Sequence, residues 1–187
     1  DKIIIFTNDG RIYCINPNTL PGGKSKGSNF SLLVNIKNSC KIIGIYKYEN
    51  NNKYLLISNK SRGFTYSTDD EPNLNKNGKQ IFNLKNDDYL IKAISPIKKF
   101  IATVSSLGKL LIFKSNEIPI LKKSSGVIIQ KIKNGYLSDV QSFDKNESIQ
   151  WYSGKQLKQE SNYEFWIGKR SQIGKKIPRK FSKNLKF

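Results

Sequence analysis

Four tight turns spaced along the chain each set a glycine beside a basic residue: Asn8-Asp9-Gly10-Arg11, Lys60-Ser61-Arg62-Gly63, Ser106-Leu107-Gly108-Lys109 and Tyr152-Ser153-Gly154-Lys155. From Gly10 to Gly63, Gly108 and Gly154 the steps are 53, 45 and 46 residues. A second glycine trails each first one, at Gly27, Gly78, Gly126 and Gly174, with steps of 51, 48 and 48. Two landmarks held in phase four times define a repeat of about 48 residues. Between them run short β-branched and aromatic segments bounded by turn residues, and little of the chain carries a sustained helical period.

Each unit reads as strand, glycine turn, strand, long loop holding the second glycine, strand, short link, strand. The predicted strands are 3–7, 11–15, 32–36 and 41–47 in the first unit, then 54–58, 63–67, 80–84 and 90–95, then 100–105, 109–113, 127–132 and 138–143. The stretch 118–122 is too short for a stable helix. The fourth unit begins at Ile149-Gln150-Trp151-Tyr152 and shows no clear last strand. A period of about 40–50 residues with four strands per unit is the signature of a propeller-like array. One four-stranded sheet cannot bury both its faces, whereas stacked blades cover each other. The expected fold class is therefore all-β. It is a single domain of about four four-stranded blades near 1–52, 53–98, 99–147 and 148–187, either open or lacking a first blade.

Charge says what such an array would bind. Lys plus Arg number 33 and Asp plus Glu 14, a formal net charge of +19 on 187 residues. A Lys-for-Arg bias from AT-rich coding would not set the sign of that charge, because Glu is equally tolerated and has not risen with Lys. A domain this basic is expected to bind a polyanion. The excess recurs with the repeat. Around the second glycines lie Lys24 and Lys26, Lys76 and Lys79, Lys122 and Lys123, then Lys169, Arg170, Lys175 and Lys176. Beside the first glycines lie Arg11, Lys60, Arg62, Lys109 and Lys155, and the final segment adds Arg179 and Lys180. In a blade array equivalent loops share one rim, so these residues predict a continuous basic band that grips a duplex through its phosphates and bends it. Trp151, Phe113 and Phe82 fall in strand phase and read as core; only Tyr163, Phe165 and Trp166 near Lys169 suit base stacking.

Other chemistries find no residues. There is no His, which removes His-based triads, His–zinc sites and His general bases. Gly23-Lys24-Ser25 ends like a phosphate-binding loop, but the glycine that loop requires would stand where Asn18 is, and no helix follows. Asp69-Asp70-Glu71 and Asp87-Asp88 read as solvated turns, so no metal is expected. No Ser or Cys has a plausible base partner, and this chain is expected to be non-catalytic. Cys14 and Cys40 stand 26 residues apart without a CxxC, and no apolar run approaches the roughly 20 residues of a membrane span. These features point to a cytoplasmic protein with no membrane partner. The absence of Met implies that the chain starts inside a longer protein.

Several stretches are familiar: IIFTNDGRIY at 4–13, LPGGKSKG at 20–27, SGVIIQKIK at 125–133, GYLSDV at 135–140 and GKKIPRKF at 174–181. Together they resemble, over essentially the whole chain, the C-terminal domains of ParC, the A subunit of bacterial DNA topoisomerase IV, which are related to the C-terminal domain of the gyrase A subunit. The resemblance implies a β-pinwheel, a propeller relative whose blades exchange strands. It implies a domain that binds and bends double-stranded DNA and presents a segment to a separate catalytic core for decatenation or supercoil relaxation. By matched position Arg11, Lys24, Lys26, Arg62, Lys109, Lys122, Lys123 and Lys131 would face DNA. The implied partners are the catalytic domains of the same polypeptide and a ParE-like ATPase subunit in an A2B2 enzyme at the nucleoid. ATP and Mg would belong to that whole enzyme, and no cofactor to this domain. The chain departs from the family in two ways. It has no QRRGGKG-like box, which favours topoisomerase IV over gyrase, and it shows four units where five or six are usual. The alternatives are a gyrase A wrapping domain and a propeller-type module for an acidic protein partner.

Overall fold

A computed structural model describes residues 2–20, 34–68 and 76–187. The described residues form β-sheets whose strands all pair antiparallel, built on four hairpins, with short 3-10 turns, a few isolated parallel bridges and no α-helix. The hairpins are β1 (Ile3–Thr7) with β2 (Arg11–Ile15), β4 (Lys53–Ser58) with β5 (Arg62–Ser67), β8 (Phe100–Ser105) with β9 (Lys109–Lys114), and β12 (Ile149–Ser153) with β13 (Gln156–Glu160). Each of the first three gains a strand on one side from its own repeat: β3 (Ile42–Lys47) beside β1, β7 (Leu90–Ile94) beside β4, and β11 (Leu137–Phe143) beside β8. These three strands touch one another in succession and form the inner edges of the array.

The opposite edges come from the next repeat. β6 (Lys79–Gln80) pairs with β2, β10 (Val127–Ile128) with β5, and β14 (Lys175–Lys176) with β9. Three sheets thus have four strands, ordered β3-β1-β2-β6, β10-β5-β4-β7 and β11-β8-β9-β14, and each sheet's outermost strand is lent by the following unit. This is the strand exchange expected of a pinwheel.

Two expectations change in detail. The segments predicted as strands 80–84 and 127–132 are strands for two residues only, 79–80 and 127–128. The chain then dives inward: the Ile81 and Phe82 N–H groups both donate to Gly10 O at 3.0 Å, and Ile81, Phe82, Ile129 and Gln130 are buried. Of the predicted strand 32–36, residues 34–36 are irregular, with Val34 buried, and the rest lies outside the described residues. The fourth sheet has two strands rather than four, β12 and β13, in keeping with the missing last strand in its sequence.

Stacking explains why the strands read as unbroken apolar runs rather than as alternating ones. Tyr54 and Leu56 of β4 pack with Ile4, Phe6 and Phe64 toward the first sheet, while Leu55 and Ile57 pack with Ile101 and Phe113 toward the third. On β8 and β9, Ile101, Leu111 and Phe113 face the second sheet, and Ala102, Val104, Leu110 and Ile112 face Trp151 and Phe181. Side chains alternate, yet both faces are core. Each fully buried Leu, Ile or Phe contributes about 1.5–3 kcal/mol by area. Neighbouring sheets are also tied by repeated hydrogen bonds from Leu90 N to Asn8 O and from Leu137 N to Asn59 O, both 2.8 Å. Beyond the fourth hairpin the chain folds back over the third sheet. Tyr163 and Phe181 are buried there, and the Trp151 indole donates to Lys180 O at 3.0 Å.

Candidate nucleic-acid interface

Because β3, β7 and β11 meet along the inner side, β6, β10 and β14 lie on the far edges of their sheets. The basic residues of the repeat gather at those edges, and the reason is local. The hairpin turn ends at Gly10 and Gly108 and, in the second hairpin, at Ser61, so the cation that follows, Arg11, Lys109 or Arg62, opens the second strand. The second glycine ends the long loop, so the cations around it flank the exchanged strand.

At the first sheet, Arg11 stands opposite Gln80 and the exposed Lys79 opposite Ile12, with Lys76 exposed just before them. Lys24 and Lys26 lie outside the described residues. At the second, Arg62 stands opposite Ile128, Lys122 and Lys123 are exposed on the approach to β10, and Lys131 is exposed just after it. Lys60, at the hairpin turn, is exposed but tethered, its ammonium donating to Asn86 O at 2.8 Å. At the third, Lys109 stands opposite Lys176 and Lys175 opposite Leu110; Lys169 is exposed upstream. Lys155 holds the equivalent turn position of the fourth hairpin, which has no exchanged strand beside it among the described residues. Arg179 and Lys180 are not at an outer edge. They line, with Lys158, Lys176, Phe165 and Trp166, a groove of about 550 Å³ between the last hairpin and the returning tail.

The arginines do more than present charge. Arg11 Nη1 donates to Asn77 O at 3.1 Å and its Nε lies 3.6 Å from Asp9 Oδ2. Arg62 Nη1 donates to Gly126 O at 3.1 Å. Arg170 Nε donates to Glu117 O at 2.9 Å, its Nη1 to Ile128 O at 2.6 Å, and its backbone N–H to Glu117 Oε2 at 2.8 Å. Three of the four arginines in the sequence therefore clasp backbone carbonyls in or near exchanged strands. Guanidinium suits this because it offers several donors in a fixed plane. The lysines carry the mobile charge.

Among the aromatic candidates, Tyr163 is core: it is buried, packs on Phe100 and Phe143, and donates to Lys145 O. Phe165 is 58% exposed, but the Lys175 ammonium sits 4.2 Å from its ring centroid, and Trp166 donates to Lys176 O at 2.8 Å. Trp151, Phe113 and Phe82 are buried as expected. Asp88 is engaged in a turn, accepting from Ser58 Oγ and from the Lys60 and Tyr89 N–H groups. No helix among the described residues is long and apolar enough to cross a membrane.

Sequence reasoning missed one cluster. Asp139, 4% exposed, accepts from Lys92 Nζ at 2.7 Å and from the Phe187 N–H at 2.9 Å, joining the second sheet, the third and the tail. An acid between Leu137 and Val140 in a segment predicted as a strand was the available signal.

Comparison with known proteins agrees with this fold. The family model described as the DNA gyrase C-terminal domain, beta-propeller, matches residues 1–36, 52–96 and 99–144, more than half of the chain. Proteins named as the A subunit of DNA topoisomerase 4 align with it from end to end. The one from Rickettsia bellii is 34% identical over 187 residues, and the one from Caulobacter vibrioides 27% over 188; the chain spans 25% of the length of each. The E. coli ParC C-terminal domain shares the fold with a TM-score of 0.80 at 19% identity, covering 95% of this chain and 76% of that one. A DNA gyrase A C-terminal domain gives 0.62 at 16% identity, covering 80% and 51%. The chain belongs to the DNA gyrase C-terminal domain family.

Proposed function

We propose that this chain is the non-catalytic DNA-binding and DNA-bending domain of a type IIA topoisomerase of the topoisomerase IV kind. The observation that carries the reading is the recurrence of cations at the outer edges of three successive sheets: Arg11 and Lys79, then Arg62 with Lys122 and Lys123, then Lys109, Lys175 and Lys176. Cations crowded on one perimeter repel one another unless a polyanion lies along them. A duplex following a curved perimeter must bend, and its phosphates supply the charge without base readout.

The rest of the enzyme would use that bent segment. The catalytic domains of the same polypeptide would cut and pass DNA. A ParE-like ATPase subunit in an A2B2 assembly at the nucleoid would supply ATP- and Mg-dependent steps, while this domain holds no cofactor of its own. The absence of a QRRGGKG-like box and the relatives named as topoisomerase 4 A subunits favour weak bending over strong wrapping. Duplex binding measured against salt tests the reading. Contact with about 6–8 phosphates predicts a log–log slope of about −5 to −7. A flat profile overturns it.

A further inference from the structure

The three exchanged strands are not held alike. In the first sheet the clasping residue is Arg11 and its cross-strand neighbour is Gln80; in the second they are Arg62 and Ile128. Both guanidinium groups donate to carbonyls of the exchanged segment, Asn77 O and Gly126 O. In the third sheet the pair is Lys109 and Lys176, two lysines directly opposite each other in the register. Directly opposed residues share a face of the sheet, and like charges there oppose pairing. The geometry sharpens this. The Ile177 N–H donates to Gly108 O at 3.1 Å, so the adjoining Lys109–Lys176 pair falls between ladder bonds, where opposed side chains come closest. Lys175 points to the other face, its ammonium bound to Phe165 O at 2.7 Å. Among the described residues no ion pair reaches Lys109 or Lys176.

We propose that Lys109 and Lys176 form a two-sided seat for one phosphate of a phosphodiester backbone, so that duplex DNA locks β14 onto the third sheet. The seat rests on the DNA-binding reading above and goes beyond it, making one of the contacts a condition for closing a blade. An anion between the two ammonium groups turns mutual repulsion into two attractions. Because β14 leads directly into the returning tail, bound DNA also steadies the tail that covers the third sheet.

Hydrogen–deuterium exchange of the protein, with and without a random-sequence duplex at low salt, tests this. Residues 174–177 report on β14, and residues 79–82 and 127–130 on the arginine-clasped strands. Exchange at 174–177 is expected to slow on binding by about threefold more than at the other two segments. K176E, which sets a carboxylate against Lys109, should slow 174–177 about threefold without DNA and abolish the further slowing by DNA. Duplex binding that leaves 174–177 no slower than the reference segments, or a K176E strand that exchanges as fast as the original, overturns this inference alone. Absence of any duplex binding at low salt overturns the DNA-binding reading and this inference with it.

Discussion

The second sheet and the fourth hairpin have the same design and opposite circumstances. β4 has neighbours on both faces, and Tyr54, Leu55, Leu56 and Ile57 are all fully buried. β12 has a neighbour on one face: Ile149 and Trp151 are buried, while Tyr152 is 60% and Leu157 on β13 is 53% exposed. The inner hairpin is extended to four strands, and the last remains at two. A repeat of this kind does not stabilise itself. It takes its stability from the sheets it touches, as expected for an array with nearest-neighbour coupling. The tail fills the covered side of this hairpin, with Phe181 tilted against Trp151 at 5.0 Å between ring centroids and Tyr163 seated edge-on against Phe143, while the other side stays exposed.

That contrast can be broken at several points. The largest effect is expected at the interface between the second and third sheets: Phe113→Ala empties a fully buried site and should cost about 3–5 kcal/mol, read as a lowered denaturation midpoint. Next come two glycines that look equivalent in sequence. Gly10 has φ +83°, and an added Cβ would meet Phe82 O at 2.4 Å. Gly10→Ala should therefore cost about 3 kcal/mol, combining left-handed strain of about 1–2 kcal/mol with weakened bonds to the exchanged strand. Gly154 has φ +64° with nothing within 4 Å, so Gly154→Ala should cost only the strain, about 1–2 kcal/mol. Equal losses at the two positions would show that the exchanged strand adds nothing to the turn.

The remaining changes separate stability from binding. Reversing Lys122 and Lys123 to Glu should change stability by less than about 0.5 kcal/mol, since neither side chain is buried. It should weaken binding to all duplex sequences alike and reduce the salt slope by roughly 1.8, if each contacts one phosphate. A loss confined to one sequence would mean base readout. At the far end of the scale, Leu157→Ser on the one-sided hairpin should change stability by no more than about 0.5 kcal/mol. A large loss there would mean that another surface covers β13.

Much of the fold was legible because turn chemistry is local. Gly10, Gly108 and Gly154 sit at positive φ in hairpin turns and Gly78, Gly126 and Gly174 ahead of the exchanged strands, but in the second hairpin Ser61 takes the positive φ and Gly63, expected to supply it, lies within β5. The apolar runs told strands from helices. What they did not tell was where the third strand of each unit belongs. Lys79-Gln80 looks the same in sequence whether it pairs within its own unit or with Arg11, which precedes it by more than sixty residues. The site was legible as composition and phase, and Lys79, Lys122, Lys123, Lys175 and Lys176 all lie unburied at or beside exchanged strands. The division of labour was not. Arg62 and Lys109 occupy like positions, but only the folded chain shows the guanidinium spent on Gly126 O and Lys109 set across from a second lysine, Lys176.

The amino-acid sequence alone determined the period, the hairpins and the sign and phase of the charge, because each depends on residues within a few positions of one another. The tertiary structure decided which strand closes which sheet, which faces are core and which cations are tied down, because those depend on pairings between distant segments whose backbone groups are interchangeable until the sheets stack.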